Sequence, residues 1–434
     1  MARVGHDADL AAEYAAAREL ARAGRWRQAA AKLEALLAAH PDNADLHQSL
    51  GQMLRRQGKL LQGVHHLRLA LRLQPDSLEL HLDLIAGLGD LRRLDEAREL
   101  AAVAQARFPG VAEIPIQMGV ALAVSARPAE AQGWLEAALA ISPEQPVALY
   151  NLAQVLDAQG GFEAALDLYR RAYRADPDGA LPKVNLGVLE LRTGAVEDAI
   201  RSYDAWLADH PAEPLTLARR LFAAQYEPGA TAATLLRQHR VWGERFGLPP
   251  RPGRRSAPGS PDAERCLRVG FVSGDLRAHP VGYFTVRAIE SLDPAAVAIV
   301  LYSGVPAQDA IATRMRKAAW RWRDTYAWSD ERLAEEVERD RIDILIDLSG
   351  HTEHSRLLAF ARRPAPVQVT WAGYSGTTGL AAIDALICDR FVVPPGEEVE
   401  YVERVVRLPD GFLCYDPRGR RPRCRRCRLA RTGH

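Results

Sequence analysis

The segment 273–284, SGDLRAHPVGYF, places a carboxylate and an imidazole four residues apart, at Asp275 and His279. It follows the apolar run LRVGFV and precedes a helix-like stretch. A pair of this kind can orient a hydroxyl, relay a proton, or meet a phosphate beside the N-terminus of the next helix. A structural turn uses the same residue types, and the spacing by itself favours the turn, so both interpretations stay open.

Two other polar segments have weaker chemical signatures. GYSGTTG, residues 373–379, departs from the nucleophile elbow G-x-S-x-G because Thr377 stands where glycine is needed, which argues against a serine hydrolase. His351 and His354 have the spacing of metal ligands on one helical turn, but no third ligand follows at a recognisable spacing, so ordinary loop histidines are favoured. The second half contains neither GxGxxG nor a P-loop motif, which argues against dinucleotide and P-loop sites.

These polar segments follow short apolar runs, which must position them. From Cys266 onward the runs LRVGFV, AVAIVLYS, IDILIDLS, PVQVTW and DALICDRFVV alternate with helical stretches. This alternation predicts a parallel α/β sheet. Ligands of such sheets bind at the carboxyl ends of the strands, where the loops here are rich in Gly, Ser, Thr and His.

The first half has a period of 34 residues. Prolines recur at positions 41, 75, 109, 143, 177 and 211. Twelve residues before each proline stands alanine or glycine, and eight before it stands an apolar or aromatic residue. Two short antiparallel helices explain this pattern, because the small residue permits close approach and proline ends the second helix. The pattern resembles the tetratricopeptide repeat, with six units over residues 8–215, and implies an α-helical solenoid.

One position of the repeat is polar. Twenty-six residues before the prolines stand Ser49, Asp83, Gln117, Asn151 and Asn185. An amide both donates and accepts hydrogen bonds, so Asn151 and Asn185 are candidates for holding the backbone of an extended peptide. A solvated helix face is the alternative, which the spacing favours.

Composition narrows the class of protein. The formal charge is +1, from 56 basic and 55 acidic side chains, and does not support a nucleic-acid binder. Five irregularly spaced cysteines argue against a disulfide framework and for a reducing compartment. No apolar run is long enough to cross a membrane. We therefore expect a soluble, cytoplasmic protein with no membrane or nucleic-acid partner.

We expect five regions along the chain. After the repeats, a helical connector is predicted over residues 216–248 and a linker over the Pro/Gly/Arg-rich residues 249–265. The α/β lobe is predicted over 266–416, and a basic disordered tail over 417–434.

Three segments together resemble the catalytic region of protein O-GlcNAc transferases. They are LRVGFVSGDLRAHPVGYF, the long stretch DILIDLSGHTEHSRLLAFARRPAPVQVTWAGYSGTTGLAAIDALICD, and LPDGFLCYD. In that family tetratricopeptide repeats precede a two-lobed GT-B glycosyltransferase, the same order as here. The resemblance implies that the α/β lobe is Rossmann-like and forms the amino-terminal half of a GT-B fold.

The resemblance also implies a reaction, the inverting transfer of N-acetylglucosamine from UDP-GlcNAc to a Ser or Thr hydroxyl of a protein held by the repeats. It implies no metal and no cofactor. The D-x-x-x-H-P motif of the family falls on Asp275, His279 and Pro280, which implies a proton-transfer role for Asp275 and a place beside sugar and acceptor for His279, itself a candidate base. The donor-sugar loop falls on Trp371, Ala372, Gly373 and Tyr374, so Pro280, Ala372, Gly373 and Tyr374 become candidate donor-sugar contacts.

Two residues depart from the resembled pattern. Ser375 stands where the family usually has proline, and Val281 where some members have threonine. Either change would loosen contacts with the donor, and neither removes a charged catalytic group.

The carboxyl-terminal segment RPRCRRCRLARTGH is rich in arginine and contains two cysteines. Eight of the seventeen residues from Arg418 are arginine, and Cys424 and Cys427 form a C-x-x-C. A zinc site needs four ligands, of which this segment offers too few. We expect the chain to stop before the second lobe of a GT-B enzyme, with the tail read out of frame. A non-catalytic repeat scaffold is the alternative, and a nucleic-acid-binding tail is a weaker one.

This expectation predicts that residues 1–434 do not bind UDP with micromolar affinity, because the resembled family holds the nucleotide mainly in its second lobe. Isothermal titration of UDP into the protein measures the affinity directly. A saturable isotherm in the micromolar range would contradict the prediction.

Overall fold

The computed structural model describes residues 2–177, 181, 183–248, 265–306 and 308–415, with side chains from residue 10. The chain divides into two compact units between Thr193 and Gly194. The predicted linker, apart from Arg265, and the basic tail with its C-x-x-C lie outside the described residues.

The first unit consists of helix pairs. Its helices are α1 Ala2–Arg22, α2 Trp26–Ala39, α3 Ala44–Arg56, α4 Leu60–Leu73, α5 Leu78–Asp90, α6 Leu94–Arg107, α7 Glu113–Val124, α8 Pro128–Ile141, α9 Pro146–Ala158, α10 Phe162–Ala175 and α11 Val184–Arg192. The small positions of the period are completely buried, with Ala29, Ala97 and Ala165 at 0% exposure. They let the second helix of each pair approach the first. The predicted helical solenoid is confirmed.

The turns between paired helices require a left-handed residue. Gly24, Gly58 and Gly160 supply it with φ of 72°, 77° and 85°. Arg92 and Ala126 take the same conformation, with φ of 56° and 58°. A left-handed conformation is unfavourable for residues with a Cβ, so the packing of the surrounding helices imposes it there.

The second unit begins with three more helices and continues into the sheet. The helices are α12 Val196–Asp209, α13 Pro214–Ala224 and α14 Ala232–Phe246. The strands are β1 Leu267–Ser273, β2 Val297–Ser303, β3 Arg321–Asp324, β4 Ile344–Asp347, β5 Val367–Trp371, β6 Ala385–Cys388 and β7 Arg404–Arg407. Between strands lie α15 Pro280–Ser291, α16 Ala310–Ala318, α17 Asp330–Arg339 and α18 Leu357–Ala361.

The strands form one parallel sheet in the order β3-β2-β1-β4-β5-β6-β7. The order reverses between β1 and β4, so the α/β arrangement predicted from the apolar runs is confirmed. Two strands were not foreseen, β3 (RWRD) and β7 (RVVR). Each is short and carries two arginines, so neither has the apolar pattern of a buried strand.

Helix α14 departs from the repeat in which it stands. The small and apolar positions of the period fall on Ala233 and Arg237, which are exposed, although the equivalent Ala199 and Tyr203 of α12 are buried. Its buried residues are instead His239, Trp242 and Gly243. The helix has therefore exchanged its repeat-packing face for one that contacts the α/β lobe.

No helix in the described part of the chain combines the length and apolar character needed to cross a bilayer.

The repeat core predicts a contrast between two leucines of α4. Leu67 is 0% exposed and Leu61 is 70% exposed. Leu67→Ala leaves a cavity and should lower the free energy of unfolding by about 2–5 kcal/mol, whereas Leu61→Ala should change it by less than about 0.5 kcal/mol. Urea denaturation followed by circular dichroism measures both. Equal effects of the two substitutions would show that the position does not fill the repeat core.

Candidate functional site

The three polar loops identified in the sequence meet at one edge of the sheet. Strand β4 lies between β1 and β5, with Asp347 paired to Val272 on one side and Thr370 on the other. All three strands are parallel, so the segments that follow them leave the sheet at the same edge. These are residues 274–279, 348–356 and 372–379. The topology thus brings Asp275, after β1, and residues 372–374, after β5, to the same edge of the sheet, with β4 between the two strands.

Asp275 and His279 form the turn into α15. The carboxylate of Asp275 is almost completely buried, and its Oδ1 accepts a hydrogen bond from Arg277 Nη2 at 3.3 Å. His279 Nδ1 lies 3.7 Å from the same oxygen, beyond hydrogen-bond distance. The backbone N–H of Asp275 donates to the hydroxyl of Ser273 at 2.9 Å, which fixes the turn at the end of β1.

His279 is the N-cap of α15, and this decides its tautomer. Its Nδ1 accepts the backbone N–H of Val281 at 3.3 Å, satisfying one of the unpaired donors at the helix start. A nitrogen that accepts a hydrogen bond carries no proton, so the neutral ring holds its proton on Nε2. In this state His279 is a hydrogen-bond donor at Nε2. It acts as a base only if the cap is broken or the tautomer changes. Its side chain is 37% exposed.

A buried carboxylate lies below this edge of the sheet. Asp347, at the end of β4, accepts the backbone N–H groups of Ser349 at 3.1 Å and Gly350 at 2.9 Å and the hydroxyl of Thr370 at 2.8 Å. Complete burial raises the pKa of Asp347 to about 6, although the three donors act in the opposite direction. These bonds tie the loop after β4 to β5.

The Gly-Tyr loop, residues 371–374, is held by close backbone contacts. A Cβ added to Gly373 would lie 1.8 Å from the carbonyl oxygen of Leu348, so only glycine fits. Ala372 is left-handed, with φ of 62°. Trp371 donates its indole N–H to the carbonyl of Phe412 at 2.8 Å. The contact with Leu348 and the hydrogen bond to Phe412 together fix the conformation of the loop.

The predicted donor-sugar residues differ in accessibility. Pro280 is exposed at the start of α15, and Ala372 and Gly373 are partly exposed. Tyr374 is 5% exposed, and its hydroxyl lies 2.7 Å from Nε2 of His239 on α14. The Tyr374 hydroxyl is therefore already engaged in a hydrogen bond within the protein. Only the backbone near Tyr374 and the edge of its ring remain for contact with a sugar. A donor-binding role for these four residues stays a prediction.

Two buried histidines surround Tyr374. His239 Nδ1 lies 2.7 Å from the carbonyl of Leu235 and donates to it, so its Nε2 accepts the Tyr374 hydroxyl. His351 Nε2 donates to the carbonyl of Thr378 at 2.8 Å. Burial lowers the pKa of His239 to about 4 and that of His351 to about 3, so both rings are neutral at neutral pH.

The metal interpretation gains no support from the geometry. His351 is enclosed by Trp242, His239 and Tyr374, whereas His354 is exposed. Within the described ranges, no group of three or more His, Cys, Asp or Glu side chains is arranged to hold a metal ion.

In the first unit, the polar repeat position links consecutive repeats. Ser49, Asp83 and Asn185 each hydrogen bond to the residue 35 positions earlier, at Tyr14, Gln48 and Tyr150. These hydrogen bonds therefore connect each repeat to the one before it.

The two predicted peptide contacts each have their amide nitrogen engaged. Asn185 Nδ2 donates to the Tyr150 hydroxyl at 2.7 Å, and Asn151 Nδ2 donates to the carbonyl of Val147 at 2.7 Å. What the two amides still offer a peptide is their carbonyl oxygens, which accept backbone N–H groups. Peptide binding by Asn151 and Asn185 stays a prediction.

Comparison with known proteins identifies the lobe and the repeats. Residues 255–424 match the model of glycosyl transferase family 41, and residues 14–77, 116–180 and 150–214 match a tetratricopeptide-repeat model. Residues 255–424 are therefore similar to family 41 glycosyltransferases. The resemblance to O-GlcNAc transferases inferred from the sequence is confirmed.

Named relatives agree with this assignment. A protein of Oryza sativa called probable UDP-N-acetylglucosamine–peptide N-acetylglucosaminyltransferase SPINDLY is 38% identical over 50% of this chain and 24% of its own length. Its Arabidopsis thaliana counterpart is 40% identical over 46% of this chain and 22% of its own. A mutant O-GlcNAc transferase of Thermobaculum terrenum is similar in structure, with a TM-score of 0.63 and 36% identity over 70% of this chain and 58% of the other. The chain thus spans about a quarter of the length of the two plant relatives.

Sequence reasoning missed three residues around the candidate site, Asp347 and Glu403 in the α/β lobe and His239 on α14. Asp347 lies in an apolar run, and an acid at such a position is a usable signal of a buried site. Glu403, before β7, accepts the backbone N–H of Thr378 at 2.8 Å and the hydroxyl of Thr377 at 2.7 Å. Neither it nor His239 had a local signal, because their partners are distant in sequence.

The buried state of His239 predicts a pH effect on stability. Because its pKa in the folded protein, about 4, lies below the ordinary 6.5, the unfolded chain binds more protons between these values. Its contribution to stability is therefore present above pH 6.5 and is lost as the pH falls toward 4. His239→Gln cannot be protonated and should lose less stability on acidification, by up to about 1.4 kcal/mol per pH unit.

Urea midpoints measured from pH 7 to pH 5 test this difference. Asp347, whose raised pKa acts in the opposite direction, is present in both proteins and cancels in the comparison. His210→Gln, at an exposed position in the same unit, is the control and should behave as the unmodified protein. Identical pH slopes for His239→Gln and the unmodified protein would count against a neutral buried imidazole.

Proposed function

We propose that the protein is an O-GlcNAc transferase that moves N-acetylglucosamine from UDP-GlcNAc to Ser or Thr hydroxyls of proteins, with inversion at the anomeric carbon. The names of the relatives support this activity, and the family 41 segment supports the reaction class. The observation that carries the proposal is the turn of Asp275 and His279 at the carboxyl edge of the sheet, the same edge from which the Gly-Tyr loop leaves β5. The cysteine usage supports a cytoplasmic location.

The acceptor hydroxyl must lose a proton as it attacks the sugar. Asp275 is an acceptor-only carboxylate when ionised, held by Arg277, and it suits proton removal or relay. His279 carries its proton on Nε2 and suits donation of a hydrogen bond to a sugar, phosphate or acceptor oxygen. We therefore assign the base to Asp275 and the positioning donor to His279, two roles that the resemblance left shared.

The leaving diphosphate needs positive potential. Helix α15, of twelve residues, presents its N-terminus at Pro280, and the guanidinium of Arg277 lies in the preceding turn. A helix N-terminus and an arginine are both favourable to phosphate oxygens. This supports a donor oriented with its sugar near His279 and its diphosphate near the start of α15. No metal or cofactor enters the proposal.

Acceptor proteins would bind to the repeats. Asn151 and Asn185 offer carbonyl oxygens 34 residues apart along the solenoid, matching donors of an extended peptide backbone. The proposed partners are thus a protein or peptide acceptor and a UDP-sugar.

Transfer of radiolabelled GlcNAc from UDP-GlcNAc to a Ser/Thr-containing peptide library tests the proposal. It is measured for residues 1–434 and for a version extended along the downstream coding sequence. In whichever version is active, His279→Ala should reduce kcat/KM by about 10²-fold or more, since it removes the Nε2 donor and the helix cap. Asp275→Asn should reduce kcat by a similar factor.

His210→Ala, which changes an exposed histidine directly after α12, is the matched control and should leave transfer unchanged. Absence of transfer in both versions, with peptide binding retained, would favour the non-catalytic scaffold. Transfer that survives His279→Ala unchanged would remove His279 from the site.

A further inference from the structure

A groove lies between α13 and α14 on the helical part of the second unit. Its volume is about 330 Å³, at the lower end of the range of ligand pockets. Four apolar side chains line it, Leu217 and Leu221 from α13 and Val241 and Trp242 from α14. Leu221 and Trp242 are almost completely buried and form the floor, whereas Val241 is 59% exposed.

The repeat period explains why the groove is open. Eight residues before each proline, six earlier repeats bury a side chain between 0% and 2% exposed: Leu33, Leu67, Ala101, Leu135, Tyr169 and Tyr203. In the seventh helix pair this position is Arg237, which is exposed. Because α14 has turned its buried face to the α/β lobe, the apolar side chain that would fill the space is absent. Binding of an apolar side chain in this groove would be favourable, because it would remove the exposed apolar surface from water.

The rim of the groove is positively charged. Helices α13 and α14 together carry five arginines and one acidic residue, Glu244. Arg220, Arg237 and Arg245 line the groove itself. Arg220 is paired with Asp204 at 3.1 Å, but Arg237 and Arg245 form no ion pair with any described residue. Two guanidinium groups that have no acidic partner in the described part of the chain therefore flank an apolar floor.

We propose that this groove docks an acidic peptide segment of a partner protein. A large apolar side chain of the segment would rest on Leu221 and Trp242, and its carboxylates would pair with Arg237 and Arg245. Guanidinium groups bind carboxylates with two parallel hydrogen bonds, so the rim supplies orientation as well as attraction. The charge of the rim selects acidic segments over neutral ones.

Charge also argues against the competing occupants. Residues 249–264, which follow α14 closely in the chain, contain three arginines and two acidic residues and share the sign of the rim. A second copy of the groove would present the same positive charge. A nucleic acid satisfies the arginines but has no apolar side chain for the floor. The groove shares no lining residue with the polar repeat position or with Asp275 and His279, so the proposed docking does not depend on the proposed transferase activity.

Fluorescence anisotropy of a labelled peptide tests the proposal on the full chain. The probe is about twelve residues long, with glutamates throughout and two leucines four residues apart. We expect saturable binding that weakens with added salt. Arg237→Glu and Arg245→Glu should each weaken it about tenfold or more, and Val241→Asp should do so without removing an arginine.

The matched control is Arg240→Glu, which makes the same charge change on the same helix but outside the groove, and it should alter affinity less than about threefold. A probe with serines in place of the leucines should bind at least tenfold more weakly. Equal losses for Arg240→Glu and Arg237→Glu, or equal binding of the serine probe, would reduce the effect to general surface charge and overturn the proposal. No saturable binding, tighter binding of a single-stranded oligonucleotide, or self-association abolished by Val241→Asp would also overturn it.

Discussion

The contact between helix α14 and the loop 373–379 constrains most of the second unit. A Cβ on Gly243 would lie 1.8 Å from the carbonyl oxygen of Gly379, and one on Gly379 would lie 2.0 Å from that of His239. Helix and loop therefore meet backbone to backbone, with no space for side chains between them. The hydrogen bond from Tyr374 to His239 and the packing of Trp242 on His351 surround this contact. The Gly-Tyr loop is thus supported by a helix that precedes the sheet in sequence.

The contact between α14 and the loop also determines which residues of α14 are exposed on its other side. By turning His239, Trp242 and Gly243 toward the lobe, α14 exposes Ala233 and Arg237, the positions that earlier repeats bury. A helix can bury only part of its circumference in one neighbour. Supporting the candidate site and completing the repeat packing are therefore exclusive, and the groove between α13 and α14 results from that choice.

Much of the fold was predictable because its signals are local and periodic. The 34-residue period places the helix pairs, and the apolar runs place β1, β2, β4, β5 and β6. Strands β3 and β7 were not predictable, since charged residues such as Arg321 and Arg323 reach Asp340 from within β3 and mask the strand pattern. At the site, Asp275, His279 and the Gly-Tyr loop were found from motif and resemblance. Asp347 and Glu403 were not found, because they act by accepting hydrogen bonds from loop residues, and these partners are known only from the folded structure.

The amino-acid sequence by itself determined the repeat architecture, the parallel lobe and the resemblance to O-GlcNAc transferases, since period, apolar runs and motifs are written along the chain. Only the tertiary structure decided which nitrogen of His279 holds the proton, where the Tyr374 hydroxyl goes, and why Arg237 borders an open groove. Each of these depends on a partner brought close in space, as Tyr374 and His239 are, 135 residues apart in sequence. Hydrogen bonds and burial act over a few ångströms, and only folding brings such distant residues within that range.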